Sequence, residues 1–347
     1  MLEPPDIQEA NIVACMQDEY GLSINQVTFL SLGADVHTAV YRVDTNDGAP
    51  YFLKLRSGAF DPASVALPKF LSDQGIAQII PPIATKTRQL WGELGTYKTI
   101  LYPFVTGKNA YEVVLSDPHW EALGTALKKI HTAKIPVTLM NSIRRETYSE
   151  KGRETVKMFL NRIEGDTFDD PIAVDMTVIL RSKRMEILNL IGRVEYLAQK
   201  LQTQSLELVV CHSDLHAGNI LIETDGTLYI VDWDEPILAP KERDLMYMGG
   251  GLLASGLKPD EEETLFYPAY GPTNVNATAL AYYRYERIIQ DIAAYCEELL
   301  LTKEGGEDRA QSLHYLKSNF LPNHTIDIAY RSDRTVWGEI SSGINLL

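Results

Sequence analysis

Hydrophobic residues fall into two regimes along this chain. From Val27 to Pro103 they alternate with polar ones in short runs. The stretch "VTFLSLGADVHTAVYRVDTNDGAPYFLKL" holds three such runs, rich in β-branched and aromatic residues and divided by turn signals at Leu32-Gly33 and Asn46-Asp47-Gly48. They predict three strands. "DPASVALPKFLSDQG" reads as a helix made imperfect by Pro68, and "TYKTILYPFVTG" as a further strand running into a proline-containing connector. Beyond the connector the period lengthens. Asp117 can cap a helix with Pro118 at its first position and Trp120, Leu123, Leu127 and Ile130 on one face. Residues 150–203 read as long charged helices. "ALAYYRYERIIQDIAAYCEELLL" carries a stripe of Tyr285, Ile288, Ile292, Tyr295 and Leu299 that reads as core. The pattern predicts an α+β chain of two lobes. A small, mostly antiparallel β-rich lobe spans residues 1–104, a larger helical lobe spans 105–347, and the connector lies near 103–108.

One stretch breaks the helical regime. "CHSDLHAGNILIETDGTLYIVDWDEP" places a hairpin among helices, with strands "NILIE" and "LYIVDW" around an Asp225-Gly226 turn. It sets Asp214, Asn219, Asp232 and Asp234 beside apolar runs, where an unpartnered carboxylate is costly. The spacing suggests the partner. In protein kinases the catalytic loop reads H-R-D-x-x-x-x-N, followed after a hairpin by a metal-binding Asp. His212-Ser213-Asp214, Asn219 and Asp232 occupy those places. A short loop lets Asp214 face an acceptor hydroxyl while Asn219 reaches a magnesium ion, and the hairpin brings Asp232 back to the same metal. Mg²⁺ prefers such hard oxygen ligands.

Lys54 sits in the apolar strand "YFLKL", where its ammonium needs an anion; nucleotide phosphates would serve, and an edge strand facing solvent is the plainer alternative. Gly33 lies in a turn that could cover those phosphates. Protein kinases pair this lysine with a Glu on the next helix, yet residues 57–75 contain no Glu, which leaves Asp61, Asp73 or no partner. His212 is expected to order the loop by hydrogen bonds, whereas His216 has no role. Arg243-Asp244 suggests a buried ion pair supporting the loop. Asp234 is either a metal or supporting group, or a turn residue before Pro236. Tyr283, Glu286 and Gln290 share one helical face that could line an acceptor pocket, though ordinary helix surface explains them as well.

Composition narrows the partners. The 347 residues suit two lobes, and a net charge of −15 argues against nucleic acid while favouring a cationic ligand. Three scattered cysteines suggest neither a disulfide framework nor a zinc cluster. The acidic first residues read as a short helix and not a signal peptide, and no apolar run approaches the roughly 18 residues of a membrane helix. A cytoplasmic protein is expected.

"CHSDLHAGNILI", "YIVDWDEP" and "PKERDLMYMGGG", with "ADVHTAVYRV", "YFLKL" and "AYYRYERIIQDIAAY", resemble the aminoglycoside phosphotransferase family of small-molecule kinases. The resemblance covers the chain to about residue 300. It implies a bilobal protein-kinase-like fold, ATP or GTP with Mg²⁺, and transfer of the γ-phosphate to a hydroxyl. By matching positions, Asp214 would be the catalytic base, Asn219 and Asp232 the metal ligands, and Lys54 the phosphate clamp. Tyr102 and Val105 of the connector "LYPFV" would flank the adenine. Trp233-Asp234 replaces Phe-Gly, so no activation switch of the protein-kinase type is expected. The implied acceptor is a small cationic aminocyclitol-type antibiotic. A cellular amino alcohol or sugar, or a non-catalytic nucleotide-binding role on the same scaffold, are the alternatives.

Overall fold

The computed structural model describes residues 4–32, 37–253, 255–303 and 305–333. They form two compact units. The first takes in Met1–Arg144, His212–Ile237 and Leu265–Gly271; the second takes in Arg145–Cys211, Leu238–Thr264 and Pro272–Leu347.

The first unit is built on a five-stranded sheet. Its strands are β1 (Ile24–Leu30), β2 (Thr38–Thr45), β3 (Pro50–Arg56), β4 (Gly92–Leu94) and β5 (Tyr97–Pro103), in the order β1-β2-β3-β5-β4 and antiparallel throughout. The three alternating runs are thus β1 to β3. Because side chains alternate across a strand, Leu53 and Leu55 of β3 point together into a core shared with Val43, Leu101, Ile12 and Met16, the last two from the N-terminal helical segment that begins with α1 (Glu9–Cys15). Lys54 and Arg56 point to the opposite face. Helix α2 (Ala63–Asp73) forms with Pro68 inside it; the proline is buried among Val65, Leu67 and Leu71, so packing outweighs its missing backbone donor.

A second, three-stranded sheet in this unit pairs β6 (Gly107–Asn109), β7 (Ile220–Glu223) and β8 (Leu228–Ile230), with β7 central. The hairpin between β7 and β8 turns at Asp225-Gly226, where Gly226 has a φ of 90°. Part of the expected connector is therefore a strand. At Gly107 a Cβ would lie 2.2 Å from the Ile222 carbonyl oxygen, so only glycine permits this pairing. Helix α3 (Asp117–His131) buries Trp120, Leu123, Leu127 and Ile130 as its period predicts. Its cap is Ser116, one residue earlier than expected: the Ser116 N–H donates to His119 Nδ1 at 3.1 Å, and Asp117 occupies the first helical turn.

The second unit is helical. Helices α4 (Lys151–Gly165), α5 (Pro171–Gln202) and α6 (Ala277–Leu301) pack together through Phe159 and Ile163, Leu190 and Val194, and Ile288, Ile292 and Leu299. Asp170 and Asn276 cap α5 and α6, each accepting a backbone N–H three residues on at 3.0 Å. Among the described residues, no helix is long and apolar enough to cross a membrane.

Candidate active site

Lys54, Tyr102, Val105, Asp214, Asn219, Asp232 and Asp234 all belong to the first unit. Lys54 is held in register between Val40 of β2 and Ile100 of β5 and is only 7% exposed. It is not an edge lysine facing water. Its Nζ donates to Asp232 Oδ1 at 2.8 Å and Asp234 Oδ1 at 2.7 Å. Arg56, two residues on and so on the same face, donates to Asp234 Oδ2 at 2.6 Å. The absent helix glutamate is thus answered from the D-W-D segment. Asp61 instead accepts the Ala63 N–H, and Asp73 pairs with Lys69. Sequence reasoning missed Arg56; its signal was the two-residue spacing from Lys54.

Burial pulls the Lys54 ammonium down, but Asp232 and Asp234 outweigh it and hold it well above its ordinary value. The effect on the acids is divided. Burial opposes ionisation of Asp232, yet Lys54 keeps its carboxyl below the usual range. At Asp234, burial and the neighbouring Asp232 charge together leave the carboxyl above it. Burial likewise raises the Tyr102 phenol, which stands within electrostatic reach of Lys54 and meets Phe52 edge-on. Val105 follows β5 in the half-buried stretch before β6. Gly33 lies outside the described residues.

The loop after Cys211 is fixed from several sides. His212 Nδ1 accepts the Asp214 N–H at 3.3 Å, so the neutral ring carries its proton on Nε2, which bonds the Val231 carbonyl at 2.9 Å. Trp233 meets the His212 ring edge-on and donates to the Ile230 carbonyl. Ser213 Oγ donates to the Glu235 carbonyl at 2.7 Å. Ser213 and Asp232 both adopt the left-handed conformation, with φ of 73° and 64°. That is costly for residues other than glycine and characteristic of functional sites. Asn219 Nδ2 donates to the Asp214 carbonyl at 2.7 Å and to Asp214 Oδ2 at 3.2 Å. The Asp214 charge in turn acts on Asp232.

This donor set suits a hard cation. With its amide nitrogen turned to Asp214, Asn219 keeps Oδ1 available. Asp232 commits Oδ1 to Lys54, and its side chain remains 48% exposed. Neither Asn219 Oδ1 nor Asp232 Oδ2 takes a protein donor among the described residues. Two oxygens of this type, with water completing the shell, are what Mg²⁺ requires.

Tyr283 and Glu286 belong to the second unit, and both are buried there. The ring of Tyr283 lies under the Arg243 guanidinium, 5.5 Å from its centroid. Glu286 accepts from Arg153 Nη1 at 2.9 Å and from Gln290 at 3.3 Å. Burial pushes the Glu286 carboxyl up to about 7 despite the arginine. Arg243 and Asp244 are buried as well.

Comparison with known proteins identifies the fold and the family. A crystal structure of spectinomycin phosphotransferase in complex with ADP and spectinomycin matches with a TM-score of 0.88 at 38% identity, over 95% of this chain and 99% of that one. An AMP-bound complex of spectinomycin phosphotransferase matches at 0.82 and 36% identity, over 93% and 98%. An amicoumacin kinase in complex with AMP-PNP and Ca²⁺ shares the fold at 0.59 and 16% identity, over 93% and 96%. The model of the phosphotransferase enzyme family matches residues 28–249, the span that holds Lys54, the Asp214 loop and the D-W-D segment, and the chain belongs to that family.

Proposed function

We propose that this protein is an ATP-dependent O-phosphotransferase acting on a small cationic aminocyclitol antibiotic, spectinomycin first, and that it thereby confers resistance in the cytoplasm. One observation carries the catalytic reading: a buried lysine gathers Asp232 and Asp234 on the same unit in which Asn219 binds Asp214. The acceptor is inferred from the 38% identical relative, which holds spectinomycin and ADP, and from the net charge of −15, which favours a cation.

In this reading Asp214 orients the acceptor hydroxyl and takes its proton as the oxygen attacks the γ-phosphorus and ADP departs. Lys54 binds the phosphates, and Asp234, anchored by Arg56, keeps the lysine aimed. Asn219 Oδ1 and Asp232 Oδ2 would hold Mg²⁺, which when bound neutralises phosphate charge. Tyr102 and Val105 would border the base of the nucleotide. Tyr283 and Glu286 are better read as core supports than as acceptor contacts.

The test is ADP release with ATP and Mg²⁺ across spectinomycin, other aminoglycosides, amino alcohols and sugars, with mass analysis of the product. Phosphorylated spectinomycin is expected, and Asp214→Ala should cut turnover by about 10²- to 10⁴-fold while ATP still binds. Turnover on an amino alcohol or sugar alone would transfer the protein to metabolism. Magnesium-dependent ATP binding without turnover on any acceptor would make it a non-catalytic nucleotide binder.

A further inference from the structure

His216 is an ionisable residue of the loop that the proposed mechanism leaves without work. Its ring is nonetheless held on several sides. Nδ1 accepts the Gly218 N–H at 3.0 Å, closing a tight turn at the start of the short 3₁₀ segment Ala217–Asn219. Tyr111 stacks on the ring with centroids 6.0 Å apart and planes inclined by 30°. The third wall is the backbone of Gly218. A Cβ there would lie 2.7 Å from His216 Cε1, 3.0 Å from its Nδ1 and 3.2 Å from Tyr111 Cε2. Glycine is thus what lets the ring fold over the turn, and its Cα φ is not positive, so the demand is for space and not for unusual backbone.

The hydrogen bond to Nδ1 settles the tautomer. A nitrogen that accepts a backbone N–H carries no proton, so the neutral ring is protonated on Nε2. That atom lies 3.5 Å from Asp214 Oδ2. Asn219 Nδ2 reaches the same oxygen at 3.2 Å. Two nitrogens from opposite ends of the 216–219 turn therefore face Oδ2, Asn219 Nδ2 within hydrogen-bonding distance and His216 Nε2 just beyond it.

Building on the reading of Asp214 as base, we propose that His216 is a positioning residue: held by Gly218 and Tyr111, it presents Nε2–H to Asp214 Oδ2 and, with Asn219, sets the rotation of the carboxylate. A base misaimed by an ångström loses rate without losing nucleotide.

Two amide substitutions separate this from simple capping. His216→Asn keeps an acceptor for the Gly218 N–H but is too short to reach Asp214. His216→Gln places an amide donor near the position of Nε2 and gives up the cap. Rates with ATP, Mg²⁺ and spectinomycin should fall up to about 100-fold in His216→Asn and His216→Ala with KM for ATP unchanged, and recover largely in His216→Gln. Melting temperature should follow the cap instead, with His216→Asn nearest wild type and His216→Gln and His216→Ala below it. Turnover that tracks the cap, retained in His216→Asn and lost in His216→Gln, would overturn the proposal, as would three variants at wild-type rate while Asp214→Ala is inactive. Should wild type phosphorylate no acceptor, the proposed function fails by itself. Histidine ¹⁵N spectra then still decide the positioning claim: an Nε2-protonated His216 whose signals move in Asp214→Ala supports it, and an Nδ1-protonated ring refutes it.

Discussion

Replacing Lys54 by Met separates the electrostatic role of this side chain from its role as packing. Methionine has nearly the same length and fills the same slot between Val40 and Ile100, so the sheet loses charge without gaining a cavity. The electrostatic cost follows from what each carboxylate keeps. Asp234 retains Arg56 at 2.6 Å. Asp232 loses its lysine, but with 48% of its side chain exposed it turns to water. Breaking a fully buried pair costs about 3–5 kcal/mol; discounted for that exposure and for the remaining arginine, about 1–2 kcal/mol is expected here. In a chain of 347 residues that lowers the melting temperature by about 1–3 °C. The loss of a phosphate donor at the reacting centre is much larger, about 10²- to 10³-fold in turnover.

The stability difference also has a defined pH window. Asp232, depressed in the folded state, contributes above its unfolded value of 3.8 and loses that contribution as pH falls through its lower folded value. Lys54, raised in the folded state, contributes fully below 10.5 and loses it as pH rises through its higher folded value. Melting curves of wild type and Lys54→Met should therefore run parallel from about pH 5 to 9 and converge in acid. Differential scanning fluorimetry and ADP release on the same preparations read both quantities. Turnover within about threefold of wild type would refute the phosphate role. A collapse of the fold at neutral pH would show that the lysine serves the sheet first.

Other perturbations test separate parts of the structure. Glu286→Gln should flatten the pH dependence of stability: a carboxyl raised to about 7 contributes below its unfolded value of 4.5 and loses that contribution as pH rises through 7, so the variant should gain on wild type between those limits in melts taken across pH. Gly107→Ala drives a methyl group into the Ile222 carbonyl and should cost about 1–3 kcal/mol, with faster amide exchange at β6 and β7. Chelation of divalent cations should abolish ADP release, and Mg²⁺ should restore it; Asn219→Ala and Asp232→Ala should each raise the Mg²⁺ concentration needed for half-maximal rate.

What was legible in the sequence was what repeats locally or collides with its surroundings. Alternation identified β1 to β3 and helical stripes identified α3 and α6, because each element buries a face of its own. Asp214, Asn219 and Asp232 stood out because polar groups in apolar text need a reason. What escaped depends on distant pairing. Lys54 meets Asp232 across 178 residues and Arg153 meets Glu286 across 133, and no local period encodes either. β6 escaped because its key residue, Gly107, acts by lacking a side chain that would strike a carbonyl 115 positions away. The cap of α3 moved to Ser116 because serine and aspartate satisfy the same orphan donors, and position alone decides between them.

The left-handed backbone at Asp232 narrows what the position can hold from two directions. Glycine visits that conformation freely, and asparagine and aspartate visit it more readily than other side chains. Of those three, only aspartate carries the negative charge that meets the buried Lys54 ammonium, so shape admits three residues and electrostatics keeps one.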